Sequence, residues 1–120
     1  MIKHPILIVD DMNPILKVFK FGMPDDYDVV VANNIYQAKT FCMAIRFDIV
    51  LTDIHLLPHT PFGGFELVQS LVNMKFSGKI GIMSGYAQDI PIHLIDHIDF
   101  ILEKPFSIPD FLETIQGVNK

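Results

Sequence analysis

Short apolar runs alternate along the chain with stretches in which apolar residues recur every three or four positions. The runs at 5–9, 27–32, 47–53, 79–83 and 99–102 are rich in Ile, Val and Leu, and their near-continuous apolarity suits strands covered on both faces. Between them, Ile15, Leu16, Val18 and Phe19 mark one helical face, and Ile35, Ala38, Phe41, Cys42 and Ile45 mark a second. Phe65, Val68, Leu71 and Val72 mark a third, whose helix is predicted to end near Ser77-Gly78, and Phe111, Leu112, Ile115 and Val118 mark a last one. Punctuation agrees with this reading. Asn13-Pro14 offers an N-cap and a first-turn proline, Gly22 and Pro24 stop that helix, Asn33-Asn34 opens the next, and Ser107 with Asp110 forms a capping box. Residues 86–97 are predicted as one brief or irregular helix capped by Asp89.

Strict alternation of strand and helix implies right-handed crossovers, and hence a doubly wound α/β fold: a parallel five-stranded sheet between two helical layers. Residues 1–120 fit one domain, with no repeat, linker or low-complexity segment. Half the residues are hydrophobic, which excludes disorder, yet the longest apolar runs fall far short of a bilayer span and the Lys3-His4-Pro5 start is no signal peptide. A cytoplasmic protein without membrane contact is expected. The net charge of −5 argues against direct nucleic-acid binding. The single Cys42 excludes an internal disulfide and is read as an inert packing residue, and the five His show no metal-ligand spacing.

The strand ends carry the chemistry. In a parallel sheet all carboxyl ends lie on one edge, so Asp10 and Asp11, Asp53, Ser84 and Lys104 are expected to converge. Carboxylates about 4 Å apart repel by roughly 4 kcal/mol per pair at an effective dielectric near 20, so either their pKa values rise or a cation sits among them. Oxygen ligands with room for water suit Mg²⁺. Lys104 and Ser84 would then hold the oxygens of a phosphoryl group, with Asp53 the nucleophile that becomes an acyl phosphate.

Ile-Val-Asp-Asp at 8–11, Asp53 after a buried strand, Ser84-Gly85 and Lys104-Pro105-Phe106 together resemble the response regulator receiver domain of two-component signalling. The resemblance spans almost the whole chain. It implies a flavodoxin-like (βα)5 fold and Mg²⁺-dependent phosphorylation by a histidine kinase or histidine phosphotransfer protein. Carried over by position, Asp53 is the phosphoacceptor, Asp11 a direct metal ligand, Asp10 a ligand largely through water, and the His55 backbone carbonyl a further metal contact. Ser84 and Lys104 take the phosphoryl oxygens, the Lys104-Pro105 bond is cis, and Gly85 leaves access to the site. Tyr86 lies where side chains modulate dephosphorylation. The first helix, with Ile15 and Phe19, is the expected docking element for the phosphodonor. The surface around residues 90–101 and 111–115, formed by the fourth helix, fifth strand and fifth helix, is the expected face for an effector or a dimer partner, with some of the apolar residues in both surfaces expected to be core. The resemblance implies a signalling phosphoacceptor that assists its own phosphotransfer and autodephosphorylation, not an enzyme acting on a separate substrate.

Three departures from the family pattern stand out. Gly63 and Gly64 follow Asp53 by ten and eleven residues, where about eight is usual, so Pro58, Pro61 and Phe62 can form a small lid that changes the access of water. The segment between Ser84 and Lys104 is short. Ile101, beside Phe100, replaces the aromatic residue that usually reports the switch. His55 and His59 are read as solvent-facing loop residues. These departures keep open a pseudo-receiver, an interaction module that signals without phosphate. A haloacid dehalogenase-type hydrolase fits poorly, because its nucleophile stands on the first strand in an Asp-x-Asp pattern and its cap domain has no counterpart here. A stand-alone regulator or a receiver cut from a longer protein is expected.

Overall fold

The computed structural model describes residues 3–56, 62–85 and 90–118. In chain order these form β1 (His4–Val9), α1 (Asn13–Gly22), β2 (Tyr27–Ala32), α2 (Ile35–Ala44), β3 (Ile49–Asp53), α3 (Gly63–Asn73), β4 (Lys79–Ser84), α4 (Ile92–Ile95), β5 (Phe100–Glu103) and α5 (Ile108–Val118). All pairings are parallel, and the five strands follow the order β2-β1-β3-β4-β5. This is the doubly wound flavodoxin-like fold. Chain direction reverses across the sheet between β1 and β3, and ligands of open α/β sheets gather at such a switch point.

Strand alternation divides the core. Leu7, Val9 and Val50 face α2 and α3 and pack with Ile35, Ala38, Leu67, Val68 and Leu71. Ile6, Ile8, Ile49 and Leu51 face the opposite layer and meet Leu16 and Phe19 of α1 and Phe111 and Ile115 of α5. Every residue of β3 is buried, as its run of apolar and β-branched side chains predicts. Phe19, Phe111 and Ile115 are therefore the core members of the two surfaces expected around them, and any docking or effector contact there falls to their exposed neighbours. Their apolar stripe is spent on the sheet. Among the described residues, the large apolar side chains left exposed on the α4-β5 side are Ile92, Ile95 and Ile101.

Helix ends follow local chemistry, with two departures from expectation. Asn34 accepts the Gln37 N–H while Gln37 returns a side-chain oxygen to the Asn33 N–H, and Ser107 and Asp110 exchange the reciprocal bonds of a capping box. Asn13, by contrast, is no cap but the first helical residue. The Met12 N–H is bound instead by Asp10 Oδ1 at 2.9 Å, so an aspartate of the strand end holds the entry to α1. α3 stops at Asn73, four residues before Ser77. The Phe76 N–H bonds the Leu71 carbonyl and the Lys75 N–H that of Val72, with Lys75 at φ 58°. That pairing is a Schellman stop, in which the left-handed position is usually glycine. A lysine there costs about 1 kcal/mol.

α4 is a single turn behind Pro91, as the short segment before it predicts. The expectations for Tyr86, His59, Pro58, Pro61 and the Asp89 cap fall outside the described residues. Among the described residues no helix is long and apolar enough to cross a membrane.

Gly64 fixes how α3 returns over the end of β3. Its N–H donates to the Ile54 carbonyl at 2.9 Å, and a Cβ on it would lie 2.1 Å from the Asp53 carbonyl oxygen. Gly85 is the opposite case, with nothing within 4 Å of an added Cβ. Gly64→Ala is expected to lower unfolding stability by about 1–3 kcal/mol through backbone overpacking. Gly85→Ala should change it by less than about 0.5 kcal/mol. Urea denaturation of the two variants checks both.

Candidate phosphoacceptor site

The carboxyl edge of the sheet brings the polar strand ends together. Asp10 follows β1, Asp53 ends β3, Ser84 ends β4 and Lys104 follows β5. Asp10 is fully buried, Asp53 and Ser84 are 8% and 6% exposed, and Asp11 is half-buried. Carboxylate oxygens of Asp10, Asp11 and Asp53 lie within 4.8 Å of one another. The Lys104 ammonium bridges two of them, 2.8 Å from Asp10 Oδ2 and 2.9 Å from Asp53 Oδ2. Lys104 is itself tied to the neighbouring strand, its N–H donating to the Ser84 carbonyl at 2.6 Å. The Lys104-Pro105 peptide is cis.

Burial governs the protonation of this cluster. It pushes Asp10 above the usual carboxylate range, more than the bonds from Lys104 and the Met12 N–H pull it down. Burial also disfavours the Lys104 ammonium, but its hydrogen bonds and attraction to Asp10 and Asp53 outweigh that and raise its pKa. Three carboxylates against one ammonium leave two formal negative charges in a small volume. The donors facing this space are carboxylate oxygens, a set that fits a hard divalent cation such as Mg²⁺.

His55 stands beside the cluster. Its N–H points at Asp53 Oδ1 from 3.4 Å, and its ring lies 5.2 Å from that of Phe62. Phe62, just ahead of α3, stacks at 6.3 Å on Phe65, which enters the core. This aromatic wall was not anticipated, and His55 is half-buried within it, not solvent-facing. The signal for it was the Phe-Gly-Gly-Phe pattern at 62–65, whose i, i+3 spacing at a helix start brings the two rings together. Ile101 points out from the edge strand and is 55% exposed, whereas its neighbour Phe100 is buried against Gly81 and Phe111. Neither position offers a free inward-turning aromatic. On the other side of Lys104, its stem, Ile15, Phe19, Pro105, Phe106 and Ile108 line an apolar cavity of about 200 Å³.

Comparison with known proteins agrees with this architecture. The family model for the response regulator receiver domain matches residues 6–116. The response regulator TrrA of Thermotoga maritima, in a structure with Mg²⁺ and BeF, superposes with a TM-score of 0.80 at 22% identity, covering 96% of this chain and 98% of that one. A response regulator protein of Burkholderia pseudomallei, holding a phosphorylated aspartate, calcium and citrate, gives 0.81 at 23% identity over 95% of this chain and 67% of the other. A CheY-like receiver domain of Methanospirillum hungatei gives 0.78 at 26% identity, covering 98% and 94%. Compared by sequence with curated proteins, the chain matches none. With strand order, strand-end acids and a family match over 6–116 in agreement, the chain belongs to the response regulator receiver domains, which are signalling modules.

Proposed function

We infer that the protein accepts a phosphoryl group on Asp53 from a histidine kinase or histidine phosphotransfer protein, in a Mg²⁺-dependent reaction. The observation that carries this reading is the Lys104 ammonium held between Asp10 and Asp53 beside the Asp11 carboxylate. Asp10, Asp11, Asp53 and the His55 carbonyl would hold the Mg²⁺, and the match to the donor set supports that assignment. The ion would neutralise negative charge that gathers on the phosphoryl oxygens and the attacking carboxylate.

The protein's own groups do the rest. An Asp53 oxygen attacks phosphorus as the P–N bond of the donor phosphohistidine breaks, and the imidazole leaves with that electron pair. Lys104 exchanges one carboxylate contact for a phosphoryl oxygen, and the Ser84 hydroxyl donates to another. Gly85 leaves the approach open, since nothing stands within 4 Å of where its Cβ would be. Ile15 and Val18, at the rim of the cavity beside Lys104, fit the docking of the phosphodonor on α1. The added phosphoryl, with about −2 charge, draws on Ser84 and Lys104 and so shifts β4 and β5. The exposed Ile92, Ile95 and Ile101 are then the effector or dimer face, on the α4-β5-α5 side. Because Ile101 is already exposed and Phe100 is packed, the change is read out without an aromatic side chain turning inward. The pseudo-receiver reading is the competing one.

Incubation with acetyl phosphate separates the two readings. Intact mass should rise by one phosphoryl group with Mg²⁺, not with chelator and not in Asp53→Asn. An unmodified wild-type mass under these conditions favours the pseudo-receiver.

The raised pKa values set a pH dependence. Lys104 contributes stability below its ordinary value of 10.5 that is lost as pH rises through its higher native value. Asp10 acts in the same direction over a lower range: burial makes its ionisation costly in the native state, so its contribution is fully present below 3.8 and is lost as pH rises through its higher native value. Lys104→Met leaves buried carboxylates unpaired and should cost about 3–5 kcal/mol at neutral pH. Native carboxylates then bind protons more tightly than unfolded ones, so mild acid should restore most of the loss. Denaturant melts at neutral and mildly acidic pH measure this.

A further inference from the structure

At the sheet edge opposite Asp53, the C-terminal ends of α2 and α3 flank an open trough of about 550 Å³. Its lining includes Cys42, Met43, Met74 and Phe76 together with the exposed Arg46 and Lys75. Met43 is 80% exposed and Met74 45%, so two flexible apolar side chains face solvent side by side with a half-buried Phe76. Burial pushes the Cys42 thiol up to about 11, so it contributes a neutral, apolar surface. Among the described residues no carboxylate lines the trough, although the chain as a whole carries −5. Among the described residues the ion pairs join His4 to Asp48, Lys39 to Glu66, and Lys104 to Asp10 and Asp53. Arg46 and Lys75 take part in none of them.

The backbone at Lys75 supplies a separate observation. At φ 58° it occupies the position where glycine ends a helix without strain. Cations beyond a helix C-terminus are favoured by its dipole, but a lysine at the exposed position 74 would serve that purpose in ordinary helical geometry. Strain of this kind is kept where a side chain has a task.

We propose that this trough docks an acidic segment of a partner protein, anchored by an apolar side chain among Met43, Met74 and Phe76 and flanked by carboxylates that meet Arg46 and Lys75. A trough open along one side suits a peptide segment better than a small molecule, which needs most of its surface enclosed. Methionines adapt to varied apolar anchors. This surface lies away from the phosphoacceptor edge and goes beyond the phosphotransfer reading, so the two stand or fall separately.

The test is a titration of ¹⁵N-labelled full chain with a short synthetic peptide of Phe and Leu interspersed with Glu, and with its counterpart carrying Lys for Glu. Saturable shifts should cluster at residues 42–46 and 74–77 for the acidic peptide alone, and weaken with added salt. Lys75→Gly and Arg46→Gln should each weaken binding at least about twofold and together about fivefold. Lys75→Gly should also be no less stable to urea than the wild type, which separates lost binding from lost folding. Absent or scattered shifts, equal binding of both peptides, or undiminished binding by Lys75→Gly would overturn the proposal. So would sedimentation of the free protein as a dimer that Lys75→Gly dissociates, since a second copy would then cover the trough.

Discussion

One ammonium group between two buried carboxylates organises the carboxyl edge of this protein. Asp10 and Asp53 stand at the ends of adjacent buried strands, and without a cation between them their repulsion would destabilise this rim or raise their pKa values. Lys104 reaches that point from β5, two strands beyond β3 in the sheet, and so couples the switch point to the far edge. On the proposed phosphorylation of Asp53, the same group that steadies the resting arrangement would be the one whose partners change.

The remainder of the fold delivers that contact. Two aliphatic layers hold the strands in register, so that residues far apart in the chain end at one rim. Gly64 lets α3 close directly over the Asp53 backbone, and Asp10 spends its second oxygen on the Met12 N–H, which binds α1 to the same centre. The lysine leaves part of the acidic charge unmatched. That residue of charge is what makes a divalent cation a chemical complement to the site and not a decoration of it.

Much of this was legible because strands announce themselves twice, by an apolar run and by the polar residue that ends it. Asp10, Asp53, Ser84 and Lys104 were readable as one cluster once the alternation implied a parallel sheet, since strand ends need no side-chain packing to be placed. Helix faces were less legible. Phe19, Phe111 and Ile115 share a period with surface residues, and only tertiary packing decides which stripe is spent on the core. The end of α3 was hidden for a different reason: a lysine took the left-handed position at 75 that glycine would have marked. The Asn13-Pro14 pair misled because a more distant oxygen, on Asp10, satisfied the Met12 N–H at the helix entry. The His55-Phe62 contact depends on a loop path that no periodicity encodes.

The residual charge of the pocket is the claim most open to direct measurement. Calorimetric titration of the full chain with Mg²⁺ should show a saturable site that weakens about tenfold or more in Asp11→Asn and in Asp53→Asn. Thermal unfolding should shift upward with the ion most in the wild type and less in both variants. Equal Mg²⁺ binding by all three proteins, or none by the wild type, would contradict the account.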